Sequence, residues 1–182
     1  MGAVKEAMLA RRSMSRVTDA APTRAQLREL VEAAGQVADH SGLRPWRIIE
    51  LRGDDRDVLG RALAKADGRS KKDAVKHVAK ARRAPLALAI VASYRRSKVA
   101  RWEQEAVASG VAHALSLVLH DEGWGVFWRT GSTTRHKAVR KAHRLDKDEE
   151  LLGWLYVGGI PETGRRPRPR NRIRVERHLS TL

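Results

Sequence analysis

Apolar residues fall along this chain in two alternating periods. Between Thr23 and Ala34, the residues Leu27, Leu30, Val31 and Ala34 share one helical face, and Thr23 with Gln26 forms a T-x-x-Q capping box behind Pro22. A shorter helix is expected before it, from Ala3 to Arg12. After the loop DHSGLRP, the segment WRIIELR from Trp46 to Arg52 has strand composition, and Gly53-Asp54-Asp55 supplies the turn that ends it. Val58, Leu59, Ala62 and Leu63 then repeat at helical spacing from Asp55 to Ala66, ahead of a basic segment, SKKDAVKHVAKARR, whose charges are expected to face water. LALAIVAS, from Leu86, is an uninterrupted apolar run between Pro85 and Arg95-Arg96, the pattern of a strand buried on both faces.

The longest helix is expected from Trp102 to about Asp121. Its apolar positions, Val107, Val111, Leu115, Leu117, Val118 and Leu119, span a stripe wide enough for a central helix, and Gly123 ends it. WGVFWRT from Trp124 reads as a third strand, Thr134 to about His143 as a surface helix, and LLGWLYVGG from Leu151 as a fourth strand. Strands and helices mix without strict alternation and without internal repeat, which points to an α+β fold.

The chain has 182 residues, enough for one compact domain that buries roughly 70% of its unfolded surface. That domain is expected over residues 1–163, with residues 164–182 as an arginine-rich C-terminal tail: from Gly164 to Arg177 there are seven arginines and one glutamate. The tail has no core of its own. Overall, 37 Lys+Arg against 21 Asp+Glu give a formal net charge of +16, which favours anionic partners: nucleic acid, acidic lipid or a phosphorylated cofactor. The chain contains no cysteine, which excludes disulfides, thiolate metal sites and a cysteine nucleophile. MGAVKEAMLARRS lacks the apolar core of a signal peptide, and the longest apolar run is about half of the roughly 20 residues a membrane span requires. A soluble, cytoplasmic protein without membrane partners is the expectation.

Several enzyme signatures are missing. There is no G-x-S-x-G elbow, no G-x-x-x-x-G-K-[ST] loop, no H-E-x-x-H and no glycine fingerprint of a dinucleotide fold. His113 and His120 share a helix face but lie about 10 Å apart along the axis, too far to chelate one ion. Four segments remain: RRSMSR at Arg11, DHSGLRPW at Asp39, RWEQE at Arg101 and GWGVFWRTGS at Gly123.

In that order the four segments resemble the flavin-dependent nitroreductase family, above all its short, single-domain branch. That family carries an Arg-Arg-Ser motif in its first helix, a Gln-Pro-Trp loop about thirty residues on, a WEQE segment and a Trp-Arg-Ser/Thr-Gly turn. The likeness runs from about Leu9 to Gly159. It implies a nitroreductase-like α+β fold, a central, mostly antiparallel sheet flanked by helices, forming a homodimer with flavin mononucleotide (FMN) bound at the interface. It implies an NAD(P)H-dependent oxidoreductase: a reduced nicotinamide dinucleotide reduces the flavin, leaves, and a nitroaromatic, quinone or similar acceptor takes the electrons, in ping-pong fashion, with no side chain clearly demanded as acid or base.

By that resemblance, Arg11, Arg12 and Ser13 contact the FMN phosphate and ribityl chain. Guanidinium forks and a hydroxyl suit a phosphate of nearly two negative charges. Further cofactor contacts are implied at Gln36 and His40 and at Trp128, Arg129 and Thr130, with Trp128 near the isoalloxazine and Arg129 or Arg16 bringing positive charge to the flavin N1 edge. Val118, Leu119, His120, Asp121, Glu122 and Gly123 align with the stretch suggested for nicotinamide dinucleotide binding.

Each assignment has a plain structural counterpart. RRSMSR alone reads as a solvated helix end, Trp124 and Trp128 as core aromatics, His40 and Asp39 as loop caps, and Trp102 and Glu103 as anchors of the helix start. The chain also departs from the family pattern. Arg44 stands in the Gln-Pro-Trp loop, where it either raises the flavin potential or points to solvent. Gln36 stands where related chains can carry a basic residue, and an arginine between Arg166 and Arg170 is a further candidate for the phosphate. Two rival readings are a nucleic-acid or polyanion-binding protein, with nonspecific contact through the tail, and a flavin-binding protein without turnover.

Overall fold

The structure, a computed structural model, describes residues 2–68, 71–162 and 173–182. The possible phosphate contact between Arg166 and Arg170, and residues 164–172 of the tail, lie outside the described residues. Six α-helices occupy the described chain: α1 (Ala3–Ala10), α2 (Arg24–Ala34), α3 (Asp55–Ala66), α4 (Lys71–Ala81), α5 (Arg101–Asp121) and α6 (Lys137–Ala142). They surround four strands: β1 (Trp46–Leu51), β2 (Leu86–Ser93), β3 (Trp124–Arg129) and β4 (Glu149–Gly159). The strands form one antiparallel sheet in the order β1-β2-β4-β3.

β2 is central and every one of its residues is buried, as its unbroken apolar run requires. Its side chains divide by size. Leu86, Leu88 and Ile90 face α2 and α5, where they meet Leu27, Leu30, Leu115 and Leu119. Ala87 and Ala89 face the other way, toward the α3 and α6 side. Their small size leaves room for Tyr156 and Trp154, their partners in the ladder on β4. Large side chains thus stand beside small ones on that face, and each fully buried leucine of the opposite layer contributes about 1.5–3 kcal/mol by leaving water. The result is a sheet between two helical layers.

Helix ends follow local chemistry. The capping box is present: Gln26 N donates to Thr23 Oγ1 at 3.3 Å and Thr23 N to Gln26 Oε1 at 2.9 Å. α5 ends at Gly123, whose φ of 81° lies in the left-handed region. Three buried polar groups pin the loops around the sheet. Gln104 holds the 95–99 loop through Arg95 N, Arg95 O and Val99 O. Arg47 on β1 reaches across β2 to clasp Glu149 on β4, both contacts at 2.6 Å. His143 donates from Nδ1 to Val139 O at 2.8 Å and accepts from Trp154 Nε1 at 2.9 Å.

The last of these corrects one expectation. The surface helix expected from Thr134 to His143 is a short 3-10 turn, Ser132–Arg135, followed by α6, and Val139 and His143 are buried against the sheet. The two lie four residues apart and so share a helical face, which Trp154 covers. A second correction concerns Trp102: it is 72% exposed, so it does not anchor the helix start against the described residues. Glu103 does anchor the helix start, accepting from Ala100 N at 3.2 Å. No helix among the described residues is long and apolar enough to cross a membrane.

Candidate functional site

The RRSMSR segment begins where α1 stops. Arg12 folds back over that helix end, its Nη1 donating to Leu9 O at 2.5 Å and to Ala10 O and Arg11 O at 3.0 Å, so it satisfies carbonyls that the helix leaves open. Its Nε is buried and makes no hydrogen bond. Ser13 then forms a parallel bridge with Val126, and Met14 N donates to Val126 O at 2.9 Å, which lays the segment along the free edge of β3. Trp128 to Thr130 follow two residues further along that strand.

His120, near the end of α5, lies within electrostatic reach of Arg11 and Arg12; burial first, then Arg11, hold its imidazole below the usual histidine range, with Asp121 opposing. Arg11, Arg12, Ser13 and the stretch from Val118 to Gly123 therefore occupy one corner of the molecule. Within that stretch Leu119 is fully buried in the core, while Asp121, Glu122 and Gly123 are exposed. A helix C-terminus bearing Asp121 and Glu122 repels anions, so Arg11 and Arg12 supply the cationic character here.

Strand alternation separates Trp128 from Arg129. Trp128 turns toward α5, where His113 meets it edge to face with ring centroids 4.8 Å apart, and its buried Nε1 makes no hydrogen bond. Arg129 turns to the opposite face, beside Tyr156. Thr130 is exposed just past the strand. A ligand at this end meets Trp128 and Thr130 by side chain and Arg129 through its backbone.

Gln36 and His40 are elsewhere. Gln36, exposed after α2, donates to Glu32 O at 3.4 Å, and His40 Nδ1 lies 3.1 Å from Glu103 Oε2 at the start of α5. That contact holds the Glu103 carboxyl below the usual carboxylate range. From Glu103 to His120, α5 rises about 25 Å at 1.5 Å per residue, and β1 and β3 are the two opposite edges of the sheet. Within one chain, Gln36 and His40 do not meet Arg11 to Ser13.

Between them, Asp39 acts as the expected loop cap, accepting from Arg44 N at 2.6 Å and stabilising a left-handed Arg44 with φ of 47°. The Arg44 side chain is exposed and borders an open groove between α2 and β1, along with Gln36 and Trp46. Trp46 Nε1 is buried and without a hydrogen bond.

Sequence reading missed the face behind β3. Tyr156, Arg83, Lys80 and Ser15 join Arg129 around a crevice there. They come from four separate segments with no shared motif; only the register that pairs Phe127 with Tyr156 brings them together. Among the described residues, no group of three or more His, Cys, Asp or Glu side chains is placed to hold a metal.

This architecture is shared with known proteins. A solved structure described as a nitroreductase-like family protein from Bacillus cereus superposes with a TM-score of 0.85 at 18% identity, covering 100% of this chain and 97% of that one. A structure from Desulfovibrio desulfuricans described as "a putative nitroreductase in complex with fmn" superposes with a TM-score of 0.75 at 20% identity, covering 100% of this chain and 98% of that one. In sequence, the chain is 33% identical over 158 residues to the Escherichia coli K12 protein named "Putative NAD(P)H nitroreductase YdjA", covering 84% of this chain and 86% of that one. With the family model for nitroreductases matching residues 8–159, the chain belongs to the nitroreductase family.

Proposed function

We propose that this protein is an FMN-dependent oxidoreductase that takes reducing equivalents from NAD(P)H and passes them in ping-pong fashion to small acceptors such as nitroaromatics or quinones. The observation that carries this reading is the docking of Arg11-Arg12-Ser13 onto the β3 edge, two residues from Trp128. A phosphate site and a ring site thereby lie along one line. The FMN complex of the Desulfovibrio relative and the NAD(P)H in the E. coli relative's name support it.

The residues present fit the cofactor. Arg11 and the free Nε of Arg12 offer charged donors for a phosphate, Ser13 adds an exposed hydroxyl, and the unpaired Trp128 Nε1 stands at the ring end. When bound, FMN supplies the redox chemistry, accepting a hydride and releasing electrons to the acceptor. The chain's own residues bind and orient. Arg11 and Arg12 fix the phosphate, Trp128 is held at its angle by His113, and Thr130 leaves the approach to the ring open to solvent. His120, with Arg11 and Arg12, marks the side on which the nicotinamide dinucleotide approaches.

Gln36 and His40 belong to the same site through a second copy of the chain. Their separation from Arg11 along α5 supports this, as do the apolar side chains that α1 and α5 leave in water: Val4, Met8, Leu9 and Trp102 are each more than half exposed. Arginines of the tail add nonspecific contact with polyanions as a side property, weakened steeply by salt.

The test is the visible spectrum of the purified protein, supplemented with FMN if colourless, before and after anaerobic addition of NADPH. Bound-flavin bands that bleach are expected, together with a dimer in solution. Flavin that binds and never bleaches with NADPH or NADH overturns the oxidoreductase reading, and absence of flavin binding overturns the site.

A further inference from the structure

Between α1 and α2 the chain does not keep to the edge of the sheet. At Val126 it lies beside the outer edge of β3, where Met14 N donates to the Val126 carbonyl at 2.9 Å. That carbonyl points outward, so Val126 and its ladder partner Val157 form a non-hydrogen-bonded pair, and so, two residues on, do Trp124 and Gly159. The polar groups of Gly159 therefore point away from β3, and there Thr18 N donates to Gly159 O and Gly159 N to Ala20 O, each at 2.8 Å. Residues 14–18 thus cross over β3 and β4 from one side to the other. A backbone passes that close over a sheet only where the side chains beneath it are missing.

Here two of them are. Gly125 and Gly158 are direct partners in the ladder, on the face that carries Phe127 and Tyr156 two residues away. Along that face an aromatic pair gives way to a pair without side chains, and Val17 fills the step. A β-carbon on Gly125 would lie 2.8 Å from Val17 Cγ1, and one on Gly158 2.6 Å from Val17 Cγ2 and 2.7 Å from Thr18 O. Met14 reaches the same place, its Sδ 3.3 Å from the β-carbon position of Gly125. Ser13, Ser15, Arg16 and Thr18 are exposed, so Met14 and Val17 are the side chains by which the segment grips the sheet. The grip begins directly after Arg11-Arg12-Ser13, whose Ser13 bridges Val126 and whose Arg12 is tied to the end of α1.

We infer that Val17, seated on the glycine pair Gly125 and Gly158, positions the phosphate end of the cofactor site. These residues act through the segment rather than on the ligand. The depth to which Val17 sinks sets the height of Ser13 and Arg12 above the β3 edge, and charged hydrogen bonds to a phosphate are short and directional, so they are sensitive to that height. A side chain at position 125 lifts Val17 by about 1 Å to reach ordinary contact distance, and Ser13 and Arg12 follow. The ring end, at Trp128 and Thr130, stands on β3 itself and just past it and keeps its place. The cofactor's identity rests on the proposed FMN reading; the seating of the segment does not.

The probes are FMN and riboflavin, which differ by the phosphate alone, titrated into full-length apoprotein by flavin fluorescence for wild type, Gly125→Ala, Val17→Ala and the double variant. Gly125 lies outside the left-handed region, so alanine there adds the clash without backbone strain, and shortening Val17 removes it. Melting curves check folding, and Val17→Ala, which only loosens the seat, carries the test where Gly125→Ala does not fold. Wild type is expected to prefer FMN by about a hundredfold. FMN affinity is expected to fall about tenfold in Gly125→Ala, as for loss of one charged hydrogen bond, with riboflavin affinity unchanged, and to return in the double variant. Hydrogen exchange of the apoprotein, which needs no flavin, is expected to show the Met14 and Thr18 amides losing protection in Gly125→Ala and regaining it in the double variant. FMN and riboflavin weakening together, an unchanged preference for FMN in Gly125→Ala, or Met14 and Thr18 amides exchanging there as in wild type overturns the positioning role while leaving the FMN reading intact. Wild type that binds neither flavin, or both equally, overturns the phosphate site and this role with it.

Discussion

Glu149→Gln removes one charge from the clasp that ties β1 to β4 across the central strand. The carboxylate is 5% exposed, takes Nε and Nη2 of Arg47 at 2.6 Å each, and accepts from Asp146 N at 3.1 Å. Arg47 is the chief reason that its pKa falls from 4.5 to about 2, against a burial effect that acts to raise it. A shift of that size corresponds to about 3 kcal/mol at 1.36 kcal/mol per unit. The Arg47 side chain is 39% exposed, so solvent screening brings the expected contribution to about 2 kcal/mol. The folded pKa is depressed, so the stabilisation is complete above about pH 4.5 and is lost as pH falls toward 2. Urea unfolding of apoprotein at fixed concentration, for wild type and variant at several pH values from 7 to 3, measures it. The wild type is expected to be about 2 kcal/mol more stable at pH 7, with the gap narrowing steadily below pH 4.5. A gap below about 0.5 kcal/mol at pH 7, or one that stays constant between pH 5 and pH 3, refutes the reasoning.

Two further outcomes are expected. Burial holds His143 below the usual histidine range and its ring is fixed neutral between Val139 O and the Trp154 indole, so stability is full above about pH 6.5 and declines as pH falls below it; His143→Gln flattens that limb, read by melting temperature against pH. Gly153→Ala places a methyl against Arg129 O and 2.9 Å from Trp128 Nε1 at a φ of 146°, and is expected to cost about 2–4 kcal/mol in urea unfolding and to weaken FMN retention, whereas unchanged stability contradicts the close packing of β4 beneath Trp128.

What the sequence determined about this protein is local. The T-x-x-Q box, the unbroken run of β2, the wide apolar stripe of α5 and the turn at Gly123 each declare themselves within one short window, because backbone capping and hydrophobic period act between near neighbours. The ordered motifs from Arg11 to Thr130 also sufficed to name the family. Which side chains meet was decided by register and layer. Period-two alternation on β3 sends Trp128 to His113 and Arg129 to Tyr156, and the strand order β1-β2-β4-β3 keeps Gln36 and His40 away from Arg11. His143 looked like part of a surface helix until Trp154 covered it, and Trp102 looked like an anchor until α5 turned it to solvent. The crevice at Tyr156 left no trace in any window, since a crevice assembled from four segments exists only once long-range pairing has fixed their distances.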